Sequence, residues 1–360
     1  MMRDGQEEMR MSQGQMGSGT GNAMGNASGI ATRIEGAAGV IQLDRPKALN
    51  ALDQAMIDAL AEALRRFGED PSVRLVLLEG LGGRAFCAGG DIRFVRQAVL
   101  DGRGEEADHF FATEYALNGA IAAFPKPWVS LIDGICMGGG IGVSLHGSHR
   151  VVTERALLAM PETAIGFFPD VGTSHCLPRL EGAIGNWLGL TGARLRGAEA
   201  VEAGLATHYC PAEELPALRQ ALLQGDAEAA ITAHTRPAPH GAVTAQAEAI
   251  YRCFAAGTVP HILEALEAEG TGWAAEQIAT LRRMSPMSLC VTRELFRIGG
   301  GHDLATCLET ELALARRVIR QPDFAEGVRA VVVDKDQSPR WHPARIEEVE
   351  MEAVRALLAP

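Results

Sequence analysis

Between about residues 31 and 159 the chain alternates short β-branched, apolar runs with helical stretches, and that alternation limits the fold more than any other feature. Strands separated by helices pair in parallel, because a crossover must carry the chain back to the same edge and a helix does so compactly. Ala31 to Glu35 and Val40 to Leu43 flank a Gly36 to Gly39 turn and read as a hairpin, ended by Arg45-Pro46. Met56, Ile57, Leu60, Leu64 and Phe67 recur at three- and four-residue steps, which predicts a helix over Asp53 to Phe67 stopped at Gly68. Val73 to Leu78 and Trp128 to Ile132 are near-continuous apolar runs suited to strands buried on both faces. Arg150 to Thr153 and Ala156 to Ala159 read as two further short strands or bends. After about Ala212 the pattern changes to Ala, Leu, Glu and Arg at helical spacing, which predicts a helical second layer over 212–345. Pro339 to Pro343 close it, and a short helix follows near Ile346 to Leu358.

Composition narrows the function classes. At 360 residues, 47% apolar and 22% charged, the chain can bury a sizeable core. A net charge of −12 opposes nucleic-acid binding, which needs clustered Lys and Arg. Seven cysteines include no CxxC pair and no His at zinc spacing, so they read as small core residues in a reducing compartment, with no metal expected. No apolar run approaches the roughly 18 residues that cross a bilayer, so no membrane partner is expected. The first 28 residues are rich in Met, Gly, Ser, Asn and Gln, lack an apolar h-region, and carry Asp4, Glu7 and Glu8, unlike a transit peptide. A disordered tail over 1–28 and a cytoplasmic location are the expectation. The domain reading is then tail 1–28, core 29–211 and helical region 212–360.

Three stretches carry the chemistry: Arg84 to Arg93 (RAFCAGGDIR), Asp133 to Gly142 (DGICMGGGIG) and Met160 to Gly172 (MPETAIGFFPDVG). Each sets a flexible loop after a strand. Gly89-Gly90 and Gly138 to Gly140 let the main chain approach a ligand and aim N–H groups at it. Two such amides from separate loops can hold the oxyanion that develops on an acyl carbonyl, worth roughly 3–4 kcal/mol per donor. Alone, such glycines equally make tight turns. No GK[ST] follows, which excludes a P-loop, and no GxGxxG opens a helix after the first strand.

Taken together, the loops resemble the two oxyanion-hole segments and the catalytic segment of the enoyl-CoA hydratase/isomerase (crotonase) superfamily. AFCAGGDIR, TEYALN, DGICMGGGIGVSLHG, MPETAIGFFPDVG and LPRL are similar to its 3-hydroxyisobutyryl-CoA hydrolase branch, as are Met284 to Leu289, Asp323 to Ala330 and Asp334-Lys335-Asp336. The likeness spans about Gly39 to Pro343. It implies an α/β fold, a spiral of ββα units with a helical C-terminal region. It also implies hydrolysis of a short 3-hydroxyacyl-CoA thioester in valine breakdown, with no cofactor beyond the coenzyme A of the substrate.

Carried over by motif position, the oxyanion donors fall on the amides of Gly90 and Gly139, and the catalytic carboxylate on Glu162. The second carboxylate, typical of the hydrolase branch, falls on Asp170, and an acid near the acyl group on Glu114. By themselves these acids read as blandly: Glu162 complementing a helix N-terminus, Asp170 a turn residue or cap, Glu114 a solvated helix face. Lys47 and Arg93 are candidates for the CoA phosphates, or simply surface side chains. The sequence departs from the family at Gly142, where hydratases carry a second glutamate, and at Thr173-Ser174-His175-Cys176, where the branch usually has glycine and an aromatic residue. A Ser-His-Asp thioesterase would need a GxSxG elbow, which is absent. Enoyl-CoA hydration or isomerisation, and a non-catalytic acyl-CoA-binding scaffold, stay as alternatives. The superfamily's trimers and hexamers leave a homo-oligomer open.

Overall fold

The computed structural model describes residues 28–359, so the expected tail lies outside it except for Ser28. Ten strands form two sheets. They are β1 (Ile30–Glu35), β2 (Ala38–Leu43), β3 (Leu75–Gly80), β4 (Ala85–Cys87), β5 (Trp128–Ile132), β6 (Ile135–Met137), β7 (His149–Val152), β8 (Leu157–Ala159), β9 (Leu195–Arg196) and β10 (His208–Tyr209). The larger sheet runs β1-β2-β3-β5-β7-β10 and the smaller β4-β6-β8-β9. Among the strand pairs of the described residues, only the hairpin β1/β2 and the pair β8/β9 are antiparallel. Successive strands alternate between the sheets: β3 then β4, β5 then β6, β7 then β8. The intervening helices α1 (Gln54–Glu69), α2 (Ile92–Leu100), α3 (Gly104–Ala122) and α4 (Gly139–Leu145) carry the chain to the next pair. This is a spiral of ββα units, as the resemblance implied.

Helix α1 shows how the pattern becomes structure. Asp53 caps it by accepting from the Met56 N–H at 3.0 Å. Its apolar stripe, Met56, Ile57, Leu60, Leu64 and Phe67, is buried, each side chain worth about 1.5–3 kcal/mol of burial. The helix does not stop at Gly68 but runs to Glu69. One glycine in a last turn costs only about 1 kcal/mol. Pro71, by contrast, forces the preceding Asp70 out of helical backbone, and Asp70 has ψ 115. Strand β3 begins two residues later than expected and includes Glu79 and Gly80, because its partners on β2 extend to Gln42 and Leu43. The three-residue β6 went unpredicted, hidden between Gly134 and Gly138.

After Tyr209 the described regular elements are helical. One continuous apolar core nevertheless joins both halves, from Ile30 through Phe254, Leu289 and Phe324 to Val354. The last helix is shorter than expected: a 3₁₀ turn Ile346–Glu348, then Met351–Leu358.

Candidate active site

Strands β4, β6 and β8 are parallel neighbours in the smaller sheet, so their C-terminal ends emerge side by side. The chain leaving β4 is Ala88-Gly89-Gly90, that leaving β6 is Gly138-Gly139, and that leaving β8 is Met160-Pro161-Glu162. Sheet topology therefore gathers three segments, at 88–90, 138–139 and 160–162, at the mouth of one cavity of about 730 Å³. Gly90, Gly139, Glu114, Glu162 and Asp170 all line it. A Cβ built on Gly139 would lie 3.2 Å from the Gly90 nitrogen, so the two loops touch. Neither the Gly90 nor the Gly139 amide finds an acceptor among the described residues.

Three carboxyl groups line the same cavity. Glu114 reaches in from α3, and its Oε1 would stand 2.4 Å from that same Cβ on Gly139. Glu162 opens a 3₁₀ turn, Glu162–Ile165, anchored by the Thr163 hydroxyl donating to the Leu190 carbonyl at 3.1 Å. Glu114 Oε1 and Glu162 Oε2 are buried without a hydrogen-bond partner among the described residues, an arrangement that costs stability unless a ligand uses it. The third carboxyl, Asp170, accepts from the Tyr115 hydroxyl at 2.7 Å. Burial, then the neighbouring Asp170 charge, hold both Glu162 and Glu114 well above the usual carboxylate range. Burial pushes Asp170 up to about 7, against the pull of Tyr115.

Asp170 stands on a tight turn with unusual support. Val171, β-branched, has φ 54, and Gly172 has φ 82. Beyond them starts α5 (Thr173–Cys176). The amides of Gly172 and Ser174 donate to Glu311, at 2.6 and 3.0 Å, from the helix Leu304–Val318. His146 donates from Nε2 to the Val171 carbonyl at 2.7 Å. A left-handed β-branched residue costs roughly 1–3 kcal/mol, while each ordinary hydrogen bond contributes about 0.5–1.5 kcal/mol, so the two amide bonds together offset a strain of the same order. Burial pushes Glu311 up to about 8 and drives His146 down to about 4, which keeps that ring neutral.

The strained turn has a packing consequence. The Val171 side chain fills the space over Gly142: a Cβ there would fall 2.7 Å from Val171 Cβ and 3.0 Å from Asn118 Nδ2. The position where hydratases carry their second glutamate is therefore closed as well as unoccupied by an acid.

The expected cations sit elsewhere. Lys47 is exposed on the 3₁₀ turn Pro46–Ala48 and does not line the cavity. Arg93 is exposed and donates to the Val332 carbonyl, pinning α2 to a wall of the cavity rather than facing it. The arginines that do line the cavity are Arg194 and Arg283, both exposed at its rim. Sequence reasoning missed both, together with the wall formed by Val331, Val332, Gln337 and Pro339. Tyr115, adjacent to Glu114 in TEYALN, was visible but unassigned. Among the described residues no cluster of His, Cys, Asp or Glu could hold a metal ion, no helix is long and apolar enough to cross a membrane, and all seven cysteines are free.

Comparison with known proteins gives one answer at the level of family. The enoyl-CoA hydratase/isomerase family model matches residues 38–358. Human mitochondrial 3-hydroxyisobutyryl-CoA hydrolase is 44% identical over 326 residues, covering 88% of this chain and 84% of its own. The Arabidopsis thaliana 3-hydroxyisobutyryl-CoA hydrolase 1 is 41% identical, covering 91% and 90%. A crystal structure of an enoyl-CoA hydratase from Rhodobacter sphaeroides 2.4.1 superposes with a TM-score of 0.87 at 43% identity, covering 92% of this chain and 97% of that one. The mitochondrial relatives do not match the expected cytoplasmic location. The chain belongs to the enoyl-CoA hydratase/isomerase family, on the branch that includes the 3-hydroxyisobutyryl-CoA hydrolases.

Proposed function

We propose that the protein hydrolyses 3-hydroxyisobutyryl-CoA to 3-hydroxyisobutyrate and CoA, as a step of valine breakdown. The observation that carries this reading is one cavity lined by Glu162, Asp170 and the two loops with unpaired amides, while the second hydratase position is a sealed glycine. The hydratases of this family work with a glutamate pair, of which this chain keeps only Glu162, Gly142 standing at the other position. Thioester cleavage needs an oxyanion site and one carboxylate.

In the proposed reaction the thioester oxygen accepts from the Gly90 and Gly139 N–H groups, which stabilise it as charge develops. Glu162, once ionised, either attacks the carbonyl carbon or takes a proton from water that does so. In the first route a Glu162–acyl bond forms as the C–S bond breaks, the CoA thiolate takes up a proton, and water then opens the anhydride. Asp170, oriented by Tyr115, accepts the 3-hydroxyl. Arg194 and Arg283 meet the CoA phosphates at the rim. No metal or redox group enters the scheme. For compartment, the proposal keeps the cytoplasm; fractionation that finds the protein in mitochondria would replace it.

Enoyl-CoA hydration is the second reading, favoured by the Rhodobacter structure's description as a hydratase. A free-thiol assay over acyl-CoAs, run beside an absorbance assay for enoyl-CoA hydration, separates them. Thiol release greatest with 3-hydroxyacyl-CoA supports the proposal. Hydration without thiol release overturns it.

A further inference from the structure

We propose that Glu311 is a positioning residue for Asp170, a carboxyl group from the C-terminal half that lies outside the cavity and fixes the turn on which Asp170 stands. The inference deepens the proposed function, since it rests on Asp170 being the acid that meets the acyl group. Glu311 is fully buried, and no Lys or Arg pairs with it among the described residues. Filling that volume would have needed only an apolar side chain. Instead its two oxygens divide between two amides of one turn, Oε2 on Gly172 N–H and Oε1 on Ser174 N–H.

These amides are the second and fourth after Asp170. Between them and Asp170 lies Val171 at φ 54, a conformation that a β-branched residue leaves when nothing holds it. The turn is held at three places: Tyr115 on the Asp170 carboxyl, His146 on the Val171 carbonyl, and Glu311 on the amides that follow. Without Glu311, two buried N–H groups lose their acceptor, and relaxation of Val171 would rotate Asp170 away from Tyr115 and the cavity. The same relaxation would lift the Val171 side chain from Gly142.

The test uses full-length E311Q, D170N and the double variant. For each, kcat and KM are measured on a 3-hydroxyacyl-CoA and on the matching ester without the hydroxyl, with thermal unfolding alongside. An amide at position 311 keeps the shape but turns a donor toward one of the two N–H groups. E311Q is expected to stay folded and to lower kcat/KM for the hydroxylated substrate about ten- to hundredfold. The unhydroxylated substrate should lose much less, and the double variant should be no slower than D170N. Equal losses on both substrates, or multiplicative losses in the double variant, would overturn the proposal, and so would an unfolded E311Q. E311D is a second check: one methylene shorter, it reaches one amide, and its selectivity should fall between wild type and E311Q. If D170N itself leaves selectivity unchanged, the hydroxyl-reading role of Asp170 fails. Positioning by Glu311 then stands or falls on whether the two substitutions remain non-additive in kcat.

Discussion

Protons shared among Glu114, Glu162 and Asp170 set what the cavity can do. Burial raises all three, so near neutral pH the empty site holds protons that ordinary carboxylates would have lost, and its titration belongs to the group rather than to one residue. An attacking or proton-accepting Glu162 must be ionised. kcat/KM should therefore rise with pH through neutrality, and a profile already flat between pH 5 and 7 would count against Glu162 in that role. Glu162→Gln is expected to abolish thiol release while leaving acyl-CoA binding nearly intact, which isothermal titration beside the thiol assay would check. At the rim, changing both Arg194 and Arg283 to Ala should raise KM roughly tenfold with kcat within about twofold, the hallmark of lost uniform binding. The effect should shrink as salt is added. Glu162, Asp170 and both amides were legible in the sequence because each sits in a glycine- or proline-marked segment, whereas Glu114, inside helix α3, was reached only through the resemblance of TEYALN. Glu311, Arg194 and Arg283 carry no such local mark. They become neighbours of the site only through contacts more than a hundred residues long or across a rim formed by folding.

At the scale of elements, the site follows from three strand ends lying in adjacent places in one sheet. The alternation along the sequence predicted parallel strands, yet the split into two sheets was not readable from it, because β4, β6 and β8 are only three residues each and show no period. Helix α1 was legible almost to the residue, since six buried positions and a capping aspartate agree. The contact of Gly142 with Val171 was not, because it joins α4 to a turn whose backbone no propensity favours. It has a measurable consequence. Gly142→Ala should destabilise the protein by roughly 1–3 kcal/mol, the cost of overpacking, and Gly142→Glu should create no hydratase activity. Thermal unfolding with the absorbance assay tests both, and a stable, hydrating Gly142→Glu would show that the Val171 turn yields easily.

For the whole molecule, buried acids make stability depend on pH in an uncommon direction. Glu311 at about 8 and Asp170 at about 7 bind protons more tightly folded than unfolded. Stability held by those protons is lost as pH rises through these values. His146, lowered to about 4, acts in the opposite sense, but only between about 4 and its unfolded value near 6.5. From pH 6.5 to 8.5 Tm should therefore fall by a few degrees. E311Q should flatten that slope, and differential scanning calorimetry across the window would show either result. The same long reach of the C-terminal half has a consequence for biosynthesis. The cavity takes walls from Ala88 and from Pro339, and Asp170's turn is tied to Glu311. A nascent chain can form both sheets early, while its acyl pocket stays open on one side and its second acid unsupported until nearly all of the message has been read. Thioesterase activity would thus switch on only when synthesis is almost complete, and a product stopped short of residue 311 would be a folded-looking core without a working site.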